Sequence, residues 1–463
     1  MELEHGHFGG GITHGAIHHP GPRTLPAVLT APDAVAVWRL RALIVAVVFG
    51  LASLVFLFVP GGHSHLLRSY LMGVMTCFNF CGGALAFLMV QYLSGGKWGL
   101  ILRRPLEAMT RTIWLVALMM LPILFLMKHL YQWAAFDTLQ KKLDAMHAGL
   151  MSQEQMLTAQ SKVTMLNPTA AWVQYIVVIG FMGVLIFLLN RWSLQRDADP
   201  MAGTVASFDK WRIRFENLSG FPLLLYVVAM TDFVIVFIKS LDVTWYSSVY
   251  GLQLLVAQGY AVLALSILSV ILLSRYEPMK TLLRTTEQHD LGKFLFAFVM
   301  LNIYLTFAEF LIIWSGNLPD EIPWYLNRIH GGWWTICTLD FVCHWLIPFC
   351  LLLSRDLKRN KQKMIWITCF MIFARCVDMF WLIEPNFANA AGNLHLAGNV
   401  GILAYITVPA TVIALWAAYY ITQLMARPLV STNDPHLEEI LEPEHAHCRS
   451  RHGQGQRGRH QAV

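Results

Sequence analysis

Residues 251–274 read GLQLLVAQGYAVLALSILSVILLS, a run of 24 residues without a charged side chain. An α-helix needs about 20 apolar residues to cross the hydrocarbon core of a bilayer. The apolar residues follow one another without the alternation that a barrel strand requires, so the run predicts a helix rather than a strand. This stretch therefore predicts a transmembrane helix.

Similar apolar runs recur along the whole chain. Of the 463 residues, 56% are hydrophobic and only 13% are charged, whereas about 25% of the residues of an ordinary soluble domain are charged. This balance excludes a disordered chain and argues against a soluble enzyme. We therefore predict an all-α integral membrane protein with a membrane domain at 37–424 and about ten transmembrane helices, with approximate limits 37–59, 68–93, 111–135, 170–190, 219–240, 251–274, 292–315, 334–354, 363–384 and 399–424.

The basic residues lie mostly in every second connecting segment. Lys97, Arg103 and Arg104 follow the second span, for example, and a similar cluster follows each even-numbered span. By the positive-inside rule these segments face the cytoplasm. Both termini are then cytoplasmic, which agrees with an even number of spans. No basic stripe interleaved with aromatic residues is present, so we expect membrane lipid and no nucleic acid as a partner.

Three segments lie outside the predicted spans. Residues 1–36 form a polar tail rich in His, Gly and Pro, without a cleavable signal peptide, and residues 425–463 are predicted to be a disordered cytoplasmic tail. The loop 136–168 lies on the outer side. Its Leu139, Leu143, Met146 and Leu150 recur at helical spacing, which predicts amphipathic helices. These helices either lie on the membrane or a partner, or cap this same chain.

The sequence also contains a weak internal repeat. Arg104-Pro105-Leu106 follows the second span and Glu277-Pro278-Met279 follows the sixth, and the next runs end in Trp133 and Trp314. We therefore expect two related four-helix bundles, at about 68–240 and 251–384. The first and last spans flank them.

Six ionisable residues fall inside predicted spans, where a charged group is costly and marks a functional candidate by default. They are Asp232, Glu309, Asp340, His344, Arg375 and Asp378. In the predicted orientation nearly all of them lie in the outer half of the membrane. They are candidates for a proton path or for contact with a quinol, and no catalytic or metal-binding residue is predicted.

The spacing of these residues suggests how they act. Asp340 and His344 are four residues apart and share a helix face, so together they can accept a proton from a phenolic donor, or else join helices as a polar pair. Arg375 and Asp378 are three apart and predict an ion pair that neutralises itself. Glu309 has no local partner of opposite charge; Asn302 and Tyr304 on the same span are possible hydrogen-bond partners. Asp232 is a weaker candidate of the same kind.

The chain has no obvious redox centre. Its eight cysteines are scattered without a CxxC or CxxCH motif, which argues against an iron–sulfur cluster or a c-type haem. His344 is the one histidine placed well inside a span, so a haem held by two histidines is not expected. We predict that this chain itself binds no cofactor, unless menaquinone or ubiquinone contacts it.

The most distinctive motifs lie between residues 240 and 382. They are Ser240-Leu241-Asp242, Trp245-Tyr246-Ser247-Ser248-Val249-Tyr250-Gly251, His289-Asp290-Leu291-Gly292-Lys293, Trp314-Ser315-Gly316-Asn317-Leu318-Pro319-Asp320-Glu321, Trp324-Tyr325, Arg375-Cys376-Val377-Asp378 and Trp381-Leu382. With these motifs the chain, over about 37–424, resembles the ActF family of NrfD-like membrane subunits of alternative complex III, known as quinol:cytochrome c oxidoreductase quinone-binding subunit 2.

The resemblance implies a ten-helix subunit of a respiratory complex in the bacterial inner membrane. Its partners would be a sister NrfD-like quinol-binding subunit, an iron–sulfur subunit, c-type cytochrome subunits and a terminal oxidase. The complex would oxidise menaquinol or ubiquinol, with the iron–sulfur clusters and haem c held in the partner subunits. The alternative is a secondary ion or solute transporter with internal repeats. Pro122 and Pro348, which interrupt spans three and eight, do not occupy matching positions in the two repeats, and this argues against it.

Overall fold

The computed structural model describes residues 24–319, 321–387 and 400–441, and the regular structure in these ranges is entirely helical. Short 3₁₀ turns join several of the helices. The α-helices are α1 (Ala34–Leu54), α2 (Gly62–Ser94), α3 (Lys97–Thr110), α4 (Ile113–Phe125), α5 (Gln132–Ala135), α6 (Leu139–His147), α7 (Gln153–Ser161), α8 (Pro168–Asp197), α9 (Val205–Phe237), α10 (Tyr250–Leu273), α11 (Met279–Leu282), α12 (Thr285–Gly316), α13 (Ile322–Ile329), α14 (Trp333–Asp340), α15 (Ile347–Leu353), α16 (Arg355–Arg359), α17 (Lys361–Ile383), α18 (Ala404–Met425) and α19 (His436–Leu441).

Ten helical segments of the described chain are long and apolar enough to cross a membrane. Two of them join two α-helices. The third span joins α3 to α4, and the eighth joins α14 to α15 through a π-helical segment at Phe341–Leu346. The prediction of an all-α protein with ten membrane-spanning helices is therefore confirmed.

The packing of the spans follows the same scheme twice. In the first bundle α2 contacts α3, α4 and α9, and α8 contacts α4 and α9. In the second bundle α10 contacts α12 and α17, while α15 contacts α12 and α14 contacts α17. The central helices α2 and α10 also contact each other. The two groups of spans therefore share one scheme of contacts.

The first and last spans lie beside these two bundles. Helix α1 packs along α18, and α18 in turn packs along α2. A glycine makes the second contact close: a Cβ on Gly73 would lie 3.1 Å from Cα of Pro409 and from Cβ of Val412. The backbones of α2 and α18 can approach in this way because small residues leave room at helix–helix contacts.

The loop 136–168 contains two short helices that pack on each other. Ala145, Met151 and Met156 form a small apolar cluster between α6 and α7. Lys162, just after α7, donates a hydrogen bond of 2.6 Å to the carbonyl of Val243, and its ammonium lies 3.8 Å from the ring centre of Tyr246. The loop is thereby fastened to another loop of this chain, as expected for a cap.

The prediction of a disordered tail from residue 425 is wrong for residues 426–441. This segment ends in α19 and buries Leu429, Ser431 and Ile440. Its polar groups pair with buried residues of the first bundle; Asp434, for example, accepts a hydrogen bond of 2.5 Å from Arg103. A polar composition gave no sign of these partners, because they are far away in sequence.

The beginning of the chain is less regular. Helix α1 begins at Ala34, three residues before the predicted span, and the carbonyl of Leu29 accepts a 2.7 Å hydrogen bond from the amide of Leu429. The remaining parts of the two predicted tails, 1–23 and 442–463, lie outside the described residues.

Candidate functional site

The second bundle encloses a cavity of about 450 Å³. Its walls come from α10, α12, α13, α14, the π-helical segment and α17. Most of the lining is apolar or aromatic, and a small group of polar side chains lies among it. The lining includes Tyr250, Gln253, Asn302, Phe307, Glu309, Phe310, Trp314, Trp324, Tyr325, Thr338, Asp340, Phe341, His344, Trp345, Arg375, Asp378 and Trp381.

The cavity brings together most of the embedded ionisable residues. Glu309, Asp340, His344, Arg375 and Asp378 all line it, although they come from three different spans. Asp232 does not belong to this group. It is half-buried on α9, the last helix of the first bundle, outside the lining of the cavity.

Asp340, His344 and Asp378 form the polar centre of the cavity. One ligand atom from each lies within 4.8 Å of the others. His344 is in the π-helical segment, a type of distortion that is frequent at functional sites. The Nε2 atom of His344 and the Oδ1 atom of Asp340 are buried and have no hydrogen-bond partner among the described residues. Because an unsatisfied buried polar atom is costly, these two atoms are suited to a bound polar ligand or water.

The predicted ion pair between Arg375 and Asp378 is present. The guanidinium of Arg375, which is 1% exposed, donates from Nη1 to the carboxylate of the buried Asp378. Its Nε and Nη2 atoms have no hydrogen-bond partner in the described part of the chain. The positive charge of Arg375 therefore lies directly beside the polar centre.

This charge bears on which ligand the polar centre can hold. Asp340, His344 and Asp378 offer a nitrogen and two carboxylates, a donor set that zinc accepts. A cation there would lie next to the guanidinium that is bonded to Asp378, and like charges repel strongly at short range in a poorly solvated site. Arg375 therefore disfavours a cation at Asp378, and it leaves Asp340 and His344 as the groups that can meet a ligand with exchangeable protons.

Glu309 lies apart from this centre, toward the loop that precedes α10. Its buried carboxylate accepts a hydrogen bond from the hydroxyl of Ser247. Of the two partners considered from the sequence, Asn302 lines the cavity, whereas Tyr304 is 66% exposed and does not line it. The partner of Glu309 is thus a loop serine.

Aromatic rings cover one end of the cavity. Trp324 stacks on Trp245 at a centroid distance of 4.6 Å and meets Trp381 edge-on at 5.5 Å. The guanidinium of Arg328 lies 3.6 Å from the centre of the Trp324 ring and donates hydrogen bonds to the carbonyls of Trp324 and Leu382. Burial lowers the pKa of Arg328 to about 10, so its side chain remains charged at neutral pH. This cation holds the aromatic cover in place.

The neutral residues of the site were not predicted from the sequence. Gln253 and Trp345 line the cavity, and Tyr260 places its ring edge-on to His344 at 4.5 Å. None carries a charge, so the cost of embedding charge did not identify them. A usable signal was the spacing of Tyr250 and Gln253, which are three residues apart and put two polar groups on one face of an apolar helix.

The fold and the site together define a multi-span, all-α membrane protein with an aromatic cavity around a buried polar centre. The sequence matches no known protein family and no curated protein.

Proposed function

We propose that this chain is a quinol-contacting membrane subunit of a respiratory quinol:acceptor oxidoreductase, of the NrfD-like ActF type found in alternative complex III. The observation that carries the proposal is the pair of unpartnered polar atoms, on Asp340 and His344, at the centre of an aromatic cavity. The resemblance of the motifs around residues 240–382 points in the same direction.

The cavity has the chemistry that a quinol head requires. A flat ring packs well against aromatic side chains, and Tyr250, Phe310 and Trp381 are present in the walls. The phenolic hydroxyls need acceptors close by, because oxidation of a quinol to a quinone releases two protons together with two electrons. A neutral imidazole and a carboxylate are suitable acceptors near neutral pH. We assign these roles to His344 and Asp340.

Glu309 offers a way out for the protons. Its partner Ser247 lies between α9 and α10, outside both spans. A proton that leaves the polar centre reaches this carboxylate before it reaches the loop. Arg375 and Asp378 hold a fixed pair of opposite charges beside this route, which limits the net charge of the site.

The electrons must leave through partner subunits. In the proposed complex these are an iron–sulfur subunit and c-type cytochrome subunits on the outer face, beside a sister NrfD-like subunit, with a terminal oxidase as a further acceptor. The chain then lies in a bacterial inner membrane with both termini in the cytoplasm. The loop 136–168 and Ser247 face the outer side, where the proposed protons are released.

The first test is purification of the full-length chain from its native membranes in a mild detergent. We expect co-elution with an iron–sulfur protein and a multihaem cytochrome c, together with a visible haem spectrum. A colourless chain that elutes alone would contradict the proposal. Flux measurements in proteoliposomes would then test the transporter alternative.

The second test compares variants within the purified complex. Replacing a general base costs about 10²–10⁴-fold in rate, so we expect His344→Ala to slow quinol oxidation by at least about 10²-fold, with a smaller loss in Asp340→Asn. Asp232→Asn is the matched control, because it removes an embedded carboxylate outside the cavity and should change the rate less than about twofold. Equal losses in all three variants would refute the assignment of the site.

A further inference from the structure

The cavity has a mouth between two membrane-spanning helices. Phe307 and Trp314 on α12 line the cavity, yet they are 57% and 47% exposed. Thr338 on α14 and Phe341 just after it also line the cavity and are exposed. Residues deeper in the lining, such as Leu254 on α10, are buried. The cavity therefore opens at the surface between α12 and α14.

The packing of the eighth span explains this opening. Its second half, α15, packs against α12, and so does the following helix α16. Its first half, α14, packs instead against α13 and α17. The π-helical segment Phe341–Leu346 joins the two halves. The eighth span thus lies against α12 at one end and leaves it at the other, and the mouth is the resulting gap.

The surface around the mouth is apolar. Tyr304, Leu311 and Ile312 on α12 and Leu339 on α14 are all exposed. These residues belong to helices that are long and apolar enough to cross a membrane. Exposed apolar side chains at this level of a spanning helix face lipid hydrocarbon rather than water. The mouth therefore opens toward the interior of the bilayer.

We infer that the cavity takes its ligand sideways from the bilayer, and that the ligand is an amphiphile whose apolar tail remains in the gap between Phe307 and Phe341. The inference rests on the proposed function for the identity of the polar head, and it adds the route of entry and the place of the tail. The positions of the lining residues support this inference, because the polar atoms lie deep in the cavity and aromatic rings surround its opening. A water-soluble substrate would instead require a polar entrance.

Photolabelling locates the tail directly. The probe is a quinone with a photoreactive azide near the ring end of its isoprenoid tail, added to the full-length chain in lipid nanodiscs with its co-purifying subunits retained. We expect the label on peptides from α12 or on those around Thr338 and Phe341, and we expect excess unlabelled quinone to compete it away. Label on the loop 242–249 or on the segment 318–332, which contains α13, would overturn the inference. Equilibrium binding of a radiolabelled quinone is measured in parallel, and loss of that binding in His344→Ala identifies this cavity as the site.

A pair of variants tests the route of entry. Thr338→Trp places a large side chain in the mouth at an exposed position, so we expect the association rate of a tailed quinone to fall by about tenfold or more, because access limits association. Leu311→Trp is the matched control, since Leu311 is exposed on the same surface but does not line the cavity; its rate should stay within about twofold. Unchanged association in Thr338→Trp, with binding lost in His344→Ala, would refute the entrance and leave the proposed function standing. Quinone binding that His344→Ala leaves unchanged would refute both.

Discussion

The contact between the two bundles depends on a glycine, and replacing it gives a quantitative prediction. A Cβ on Gly83 of α2 would lie 2.8 Å from Cγ2 of Val262 and 3.0 Å from the backbone carbonyl oxygen of Gln258, both on α10. Real Cβ atoms almost never approach another heavy atom more closely than 3.0 Å. The carbonyl cannot rotate away, so Gly83→Ala must move α10 relative to α2.

The magnitude follows from two opposing effects. Overpacking of a tightly packed interior costs about 1–3 kcal/mol, whereas alanine is favoured over glycine in a helix by at most about 1 kcal/mol. Gly180→Ala on α8 isolates the second effect, because a Cβ there meets nothing within 4 Å. We therefore expect the free energy of unfolding of Gly83→Ala to lie about 1–3 kcal/mol below that of Gly180→Ala.

The assay is unfolding of both variants in mixed micelles, with helicity followed by circular dichroism as the denaturing detergent is increased. The hydrogen bond of 3.1 Å from the hydroxyl of Tyr226 to the side chain of Gln258 crosses from α9 to α10, so a shift of α10 should weaken it as well. Equal stability of the two variants would refute the close packing of α2 on α10.

Two further predictions concern the loops at opposite ends of the molecule. Burial opposes the ionisation of Asp434, but the charge of Arg103 outweighs burial and lowers the pKa of this carboxyl to about 2. Docking of residues 426–441 should therefore persist from pH 8 down to pH 4. It should fail only as the pH approaches 2. Asp434→Asn, which leaves Arg103 buried without its partner, should expose this segment to limited proteolysis at neutral pH, at a cost of about 3–5 kcal/mol, whereas the exposed Glu438→Gln should not. Burial, followed by the charge of Lys239, lowers the pKa of Lys162 to about 8, so the unfolded chain holds more protons and stability should rise as the pH increases from about 8 to about 10. This rise in the unfolding midpoint should be absent in Lys162→Gln, and an identical slope in both proteins would contradict the burial of Lys162.

The ten spans were predictable because the thickness of a bilayer fixes the length of an apolar helix. The ends of the helices were less predictable. Helix α9 begins at Val205, well before the predicted limit of 219, and carries Asp209, Lys210 and Arg212 near its start. A helix can continue past the apolar region into water, and charged residues there remove it from any search for apolar runs.

The embedded candidates were found by one physical rule, the cost of placing charge in hydrocarbon. The rule selected five of the residues that line the cavity, and it also selected Asp232, which lies elsewhere. The rule does not show which of these residues lie close together in the fold, because it considers each residue alone. The pairing of Asp434 with Arg103, which are 331 positions apart, was not predicted either, because a rule for single residues does not identify partners.

The two bundles share a packing scheme but differ in what occupies their interiors. In the first bundle Phe78 stacks on Phe233 at 4.2 Å, and aromatic rings fill the centre. Its buried charges are gathered instead at the end where α3 begins. There Glu107 accepts hydrogen bonds of 2.7 Å from Arg104 and 2.5 Å from Ser193.

In the second bundle the same helix arrangement leaves a cavity, and Glu309, Arg375 and Asp378 are among the buried charged residues that line it. Because a repeated scaffold needs only one open interior to hold a ligand, the first bundle can be packed for rigidity while the second accepts unsatisfied polar atoms. Substitutions in the interior of the first bundle should therefore affect the stability of the protein more than they affect ligand binding. Substitutions of His344 or Asp340 should do the reverse, since each removes a buried polar atom that has no partner in the described protein.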